Sequence, residues 1–503
     1  MERDYTMADT SILITGAQIA DGTGAEPKWG DILIKRDRIV DCADKIEASD
    51  AVRFNADGLI AAPGFIDMHA HGDFDRLKHA VSRERLLQGC TMEVVGNCGL
   101  TSFPYNDTIG RELRPMMATI VGTDFDGFSR LADYFSFIED RGIALNLVTH
   151  VGHGIVRGYV MGMSTDPASD EQLGQMSNLV ARALDDGALG MSTGLIYPTG
   201  SMTKTDELMR LMKSAVSHRP NPTPLYASHI RDESDGILDA LDEAIEIAEQ
   251  SGTGLEIAHI KCMGEKNWGR AGEVIEKIDV ARKRGIDITA DIYPYLYAST
   301  LLAMILMQPV GEPDTVLVAN AVRPDGGQWD EVVGQSLQEL SDLWNVSPDD
   351  AGRRVITDAP SAMGVAKFMS EDDVIALLGQ SWTVIGSDGI EDRDGKPHPR
   401  VGSTMPRFLG RYIREKGILS WGEAIAKMTG NTAKKLGLSD RGIIRPGNFA
   451  DITLFDPETI TDTATYKDPH SAPVGIPHVM INGVWALKDG VITSALPGRV
   501  MRY

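Results

Sequence analysis

Short apolar runs recur along this chain, and each one ends in a polar tip. In order they are Gly64–His71 (GFIDMHAH), Thr91–Cys98 (TMEVVGNC), Ala144–His150 (ALNLVTH) and Gly187–Gly194 (GALGMSTG), then Pro224–His229 (PLYASH), Gly254–Lys261 (GLEIAHIK), Asp287–Tyr295 (DITADIYPY) and Trp382–Asp388 (WTVIGSD). The stretches Asp170–Asp185, Asp206–His218, Ser234–Gln250 and Ala271–Arg284 carry apolar residues at spacings of three and four, the helical period. Strand alternating with helix predicts a parallel α/β fold, here a (β/α)8 TIM-like barrel, whose strand ends all open on one face. Ser370-Glu-Asp-Asp and Ser420-Trp-Gly-Glu supply capping-box starts for two later helices.

The two ends of the chain follow a different rhythm. SILITGAQIADGTG and DILIKRDRIVDCA near the N-terminus alternate apolar with polar residues between glycine-rich turns. Near the C-terminus ADITLFD and HVMINGVWALKDGVIT do the same, with a hairpin signal at Asn482-Gly483. Neither end alone buries a good core. Residues 1–62 and 435–503 are therefore expected to form one small β-sandwich domain beside a barrel at 63–434. About 80 residues separate Tyr295 from Trp382, too many for an ordinary connection. An inserted lid subdomain is predicted at 299–357, with Asp330–Trp344 as one of its helix-like stretches.

Composition narrows the functional classes. A net charge of −23 opposes phosphate backbones and anionic membrane surfaces, so nucleic acid and membrane are not expected as partners. No apolar run reaches the roughly 18 residues of a membrane span. The segment MERDYTMADTS is charged and lacks a secretory core, so a cytoplasmic location is expected. Cys42, Cys90 and Cys262 read as small buried hydrophobes; Cys98 differs because it ends a strand between Asn97 and Gly99.

The strand tips hold the chemistry. His69 and His71 are two apart on a strand end, so both imidazoles can face one ion. His229 and His259 end neighbouring strands, and with the Cys98 thiolate they suit Zn²⁺ with one position left open. Asp388, in GSDG, completes the six ligand candidates. Beside a dication it stays ionised and can pass a proton from an attacking water to a leaving amine. Lys261, Tyr293, Ser299, Thr300 and Arg400 stand around the mouth, where the two cations and the phenol would suit a substrate carboxylate. His150 and His153 are read as supports, since the ligand positions are already filled.

PGFID-x-H-x-H, GNCG, VGHG, GALGMSTGL-x-YP, SHIRDE, AHIK with NWG, DIYPY, GSDG and PHPR together resemble the N-acyl-D-amino-acid deacylases (D-aminoacylases) of the amidohydrolase superfamily, over nearly the whole chain. The resemblance implies a zinc enzyme that hydrolyses N-acyl-D-amino acids, a small-molecule substrate. Its zinc would be held at Cys98, His229 and His259, with a second, weaker site at His69 and His71 sharing the cysteine. It also implies Asp388 as the acid/base and Lys261, Tyr293 and Arg400 around the substrate α-carboxylate. Leu296, Tyr297 and Gly402-Ser-Thr-Met405 depart from the family's usual residues, which leaves the preferred side chain open. A hydantoinase-like cyclic amidase is the nearest rival, but such enzymes bridge two metals with a lysine at the fourth strand end, where this chain has Ser192-Thr193-Gly194. A non-catalytic scaffold should have lost ligands, and none of the six is missing.

Overall fold

The computed structural model describes residues 11–112, 126–308 and 311–503. The charged N-terminal residues 1–10, on which the expected location partly rests, lie outside them. The apolar runs form the strands β1 (Phe65–Asp67), β2 (Cys90–Val95), β3 (Asn146–Thr149, continued by Val151–Gly152) and β4 (Gly190–Gly194), followed by β5 (Leu225–His229), β6 (Leu255–Ile257), β7 (Ile288–Ile292) and β8 (Thr383–Ile385). A three-stranded and a six-stranded parallel sheet share β3 between their two parts. β8 then meets β1 to close the ring: Met68 N donates to Ile385 O (3.2 Å), Asp388 N to His69 O (2.7 Å) and His71 N to Gly389 O (3.0 Å). Two predicted ligands and the predicted acid/base thus take part in the seam of the barrel through their own backbones.

Ile66, Met92, Val94, Val148, Leu189, Leu225 and Val384 pack together as an apolar plug, against which Met501 and Tyr503 of the C-terminal tail close. Helices at Asp170–Asp186, Thr205–His218, Ile237–Ser251 and Ala271–Lys283 follow the periodicity read from the sequence. Ser420 and Glu423 form a complete capping box. Ser370 caps its helix, but the reciprocal half of the box is missing. The Asp373 carboxylate is engaged instead by Gly269 N (2.8 Å) and Ala271 N (3.1 Å) at the start of the 271–283 helix.

Strands from both chain ends share one nine-stranded sheet, in which Ile452–Phe455 pairs antiparallel with Ile60–Pro63. Its core includes Ile12, Ile14, Ile32, Ile34, Ile452 and Leu454. The hairpin at Asn482-Gly483 has both residues at positive φ (48° and 79°), as a tight primed turn requires. Between β7 and β8 the strands Tyr297–Leu301, Val316–Asn320 and Met363–Lys367 make an antiparallel sheet with Met363–Lys367 in the middle. That unit therefore extends past the expected limit at 357, because its central strand is its last. The helical stretch expected at Asp330–Trp344 is helix only over Leu337–Trp344, starting where Ser336 and Glu339 form a capping box.

Candidate metal centre

All six predicted ligands are buried at the barrel mouth in two overlapping groups: His69, His71, Cys98 and Asp388, and Cys98, His229 and His259. Within each group the donor atoms lie within 4.8 Å of one another. Cys98 Sγ is 3.3 Å from His69 Nε2 and 3.5 Å from His259 Nε2. Tetrahedral zinc with bonds of 2.0–2.3 Å requires donors about 3.5 Å apart, so the spacing fits. Both ring nitrogens of buried His229 lack a hydrogen-bond partner among the described residues, an arrangement that costs free energy unless a ligand fills it. The residues present fit a zinc ion.

The backbone turns sharply at these positions. Cys98, His259 and Asp388 adopt φ of 53°, 35° and 49°, a region that non-glycine residues enter at a cost of about 1–3 kcal/mol each. Gly96 and Gly99 flank the cysteine in the same region, and a Cβ on Gly99 would meet Gly194 N at 2.9 Å. Ser192 in the middle of β4 ties that turn down: its hydroxyl donates to Gly96 O (2.5 Å) and accepts from Gly99 N (3.1 Å).

A second layer of side chains orients the donors. Asp291 Oδ2 lies 3.1 Å from His69 Nδ1, and Asp291 Oδ1 accepts from His259 N at 3.0 Å. Glu233 Oε1 is 3.0 Å from His259 Nδ1, and its other oxygen is 3.7 Å from His229 Nε2. Such carboxylates fix the tautomer and ring angle of a metal-binding imidazole. Asp67 accepts from Ser387 N (2.7 Å) and Ser387 Oγ (2.6 Å), while buried Arg85 donates to Ser387 Oγ (2.7 Å) and Gly389 O (3.0 Å), clamping both neighbours of Asp388. None of Glu233, Asp291, Asp67 or Arg85 was singled out from the sequence, and Ser192 was noted only as standing where rivals carry a lysine. The available signals were strand phase, since Asp67 lies two residues before His69, and the four-residue step from His229 to Glu233.

The charges oppose one another strongly. Burial alone would raise the Cys98 thiol, but His69 and His259 outweigh it and hold it well below its usual range. Burial likewise works against the Asp388 carboxylate, yet Arg400, then His259 and His71, keep it well below the usual carboxylate range. His229 is pushed down by burial and then by His259, which keeps it the neutral imidazole that a metal binds. For His71, burial is outweighed by Asp388 and Cys98, and the group is pushed up to about 9. A cation bound among these groups would displace such protons, making its affinity weaker at lower pH.

The expected substrate contacts separate. Arg400 is withdrawn against the acid/base candidate: Nη1 lies 2.9 Å from Asp388 Oδ2, and Nη2 donates to Ser299 O (3.2 Å). Lys261 lines the larger cavity of the site but donates to Glu233 Oε1 at 2.5 Å. The buried Tyr293 hydroxyl has no hydrogen-bond partner among the described residues and faces the same cavity. Thr300 meets the hydroxyl of Tyr197 at 3.3 Å, and Tyr197 packs edge-on against His229. Of the two supporting histidines, His153 Nε2 lies 3.0 Å from Glu207 Oε1. His150 is buried, pushed down to about 3 by burial and then by His69, and neither ring nitrogen has a hydrogen-bond partner among the described residues.

A (β/α)8 barrel with histidine, cysteine and aspartate donors gathered at its strand ends is the framework of a metal-dependent hydrolase. The family model for the amidohydrolase family matches residues 53–288 and 356–486, and the chain belongs to that family. It is 34% identical over 493 residues to N-acyl-D-glutamate deacylase of Alcaligenes xylosoxydans xylosoxydans, covering 98% of this chain and 96% of that protein. D-aminoacylase from the same organism is 33% identical over 495 residues, covering 97% of each chain. Among solved structures, N-acyl-D-glutamate deacylase from Bordetella bronchiseptica, complexed with zinc and a phosphonate mimic of the tetrahedral intermediate, superposes with a TM-score of 0.89 at 32% identity. The match covers 98% of this chain and 99% of that one.

Proposed function

We propose that this protein is a zinc-dependent deacylase that hydrolyses the amide bond of N-acyl-D-amino acids to a carboxylate and a free D-amino acid. The observation that carries the reading is the Cys98, His229 and His259 donor set beside an ionised Asp388 at the mouth of the barrel. The deacylase relatives, matched over nearly the whole chain, support both the amide and the D-configuration. In this reading Cys98, His229 and His259 hold one zinc tightly, and His69 and His71, with Cys98 and Asp388 beside them, make a second, weaker site.

Zinc bound there supplies Lewis acidity toward the scissile carbonyl and the attacking water. Asp388 takes the proton from that water and delivers it to the departing nitrogen; its low proton affinity before reaction, set by Arg400, leaves it free to accept. Lys261 and Tyr293 face the substrate's carboxylate from the larger cavity, and Arg400, Ser299 and Thr300 complete that wall as the substrate seats. Residues of the inserted unit after β7 line both cavities, with Thr300 and Leu301 on one of its strands reaching the smaller, which places the unit to serve as a lid. The β4 tip bears no lysine, which argues against a lysine-bridged cyclic amidase.

No helix of the described residues is long and apolar enough to cross a membrane. A cytoplasmic location agrees with that and with four unpaired cysteines. The test is turnover of N-acetyl-D-amino acids, their L enantiomers and hydantoin by the zinc-loaded protein. Cleavage of the D-amides alone is the expected result, whereas turnover of hydantoin without the D-amides would overturn the reading.

A further inference from the structure

An N-acyl amino acid presents unlike groups on either side of its amide, one anionic and one acyl. The site offers two unlike spaces that share Asp388 in their walls. The larger cavity, about 160 Å³, is strongly polar: Lys261, Arg231, Asp232, Glu233, Ser234 and Gln308 line it together with His229, His259 and Tyr293. The smaller, about 70 Å³, shares Tyr197, Ser299, Thr300 and Asp388 with it and also reaches His71 and Cys98. Beyond these its wall is apolar: Phe74, Leu100, Pro198, Leu301, Met363 and Ile390, with the Thr199 side chain as the one further polar member. Among the described residues neither lysine nor arginine lines it.

We infer that this smaller cavity is the acyl subsite, and that it selects branched acyl groups of four to six carbons over acetyl. The inference rests on the deacylase reading and adds to it the chemistry of the acyl half. In the smaller space His71 is already matched by the Asp388 carboxylate at 3.2 Å, and no lysine or arginine among the described residues lines it, so the amino-acid half is placed with Lys261 in the larger one. That leaves the acyl chain for the apolar side. A single water needs roughly 10–15 Å³ of such space, so a 70 Å³ cavity holds about five water-sized groups. An acetyl methyl fills about one of them and leaves the remaining apolar wall without partners, whereas a 3-methylbutanoyl chain covers most of it. Two of the six apolar wall residues come from the inserted unit, Leu301 and Met363, which are directly paired across two strands. The other four, Phe74, Leu100, Pro198 and Ile390, follow barrel strands. Chain-length selection is therefore set where the insert meets the barrel.

The test is kcat/KM of the zinc-loaded wild-type protein for one D-amino acid carrying acetyl, butanoyl, 3-methylbutanoyl and hexanoyl groups. The amino acid is fixed as whichever of D-methionine, D-leucine and D-glutamate turns over fastest as its acetyl derivative. The 3-methylbutanoyl substrate is expected to exceed the acetyl one by about tenfold or more, the discrimination an apolar pocket gives for added methylenes. Met363→Phe, which fills the wall, is expected to lower that ratio; should this variant fail to fold, the wild-type series decides alone. Acetyl equal to or better than 3-methylbutanoyl overturns the inference and leaves the deacylase reading standing. So does a Met363→Phe variant that alters selection among D-amino acids but not among acyl groups. If no N-acyl-D-amino acid of any chain length is cleaved, the deacylase reading falls and the inference with it.

Discussion

His259 illustrates what a single residue must satisfy here. Its Nε2 faces the Cys98 sulfur, its Nδ1 faces Glu233, and its backbone N–H is held by Asp291. The sequence announces the histidine because it ends an apolar strand, as do His229, Cys98 and Asp388. It does not announce Glu233, which follows the strand in a polar loop and differs from its acidic neighbours only through its contacts. Burial works against the Glu233 carboxylate, but Lys261, His259 and His229 hold it well below the usual carboxylate range, so it is an anion wherever the protein is folded and active. Glu233→Gln keeps the shape and removes the charge that orients His259. Zinc affinity in a chelator competition is expected to fall about 10- to 100-fold, the usual cost of losing such a partner. An unchanged affinity would detach Glu233 from the metal centre.

Among the elements, β6 carries a buried acid that no periodicity could reveal. Glu256 lies on the same strand run as His259, 2% exposed, with Thr289 donating to one carboxyl oxygen and no hydrogen-bond partner on the other among the described residues. Burial, then the nearby Asp291, push it from 4.5 up to about 8, so it is neutral in the folded protein at pH 7. A folded value above the unfolded one means that its contribution to stability is complete below about pH 4.5 and is lost as the pH rises through about 8. Glu256→Gln removes that dependence. The drop in unfolding free energy between pH 5 and pH 8, measured by urea titration, is expected to shrink by on the order of 1 kcal/mol or more. An identical pH profile would contradict a neutral Glu256. The same scale shows where the pattern misled. Asp330–Trp344 has the composition of a helix throughout, yet the Ser336 and Glu339 capping box starts it only at Leu337.

For the whole molecule, the eight runs were enough to infer the barrel, because each is mainly apolar and ends in a polar tip. What they could not give is the ring's closure. The bonds from Met68, His71 and Asp388 across the β1–β8 seam join residues more than 300 positions apart, and they bring His69 and His71 to Asp388. The closing strand of the insert, Met363–Lys367, was missed for the same reason, since its pairing with Tyr297–Leu301 spans the helices Leu302–Leu306, Leu337–Trp344 and Pro348–Asp358 between them. The joined β-sheet of the two chain ends was foreshadowed by alternation, but its joint at Ile60–Pro63 and Ile452–Phe455 is again a long-range pairing. The account as a whole stands on zinc held by Cys98, His229 and His259, with Asp388 moving the proton. The most direct test is Asp388→Asn, with zinc content and turnover of N-acetyl-D-methionine measured on the same preparations as the wild type. The account expects zinc retained in both and turnover lower in the variant by about 10²-fold or more. Wild-type turnover by the variant, or its loss of the tightly bound zinc, would contradict it.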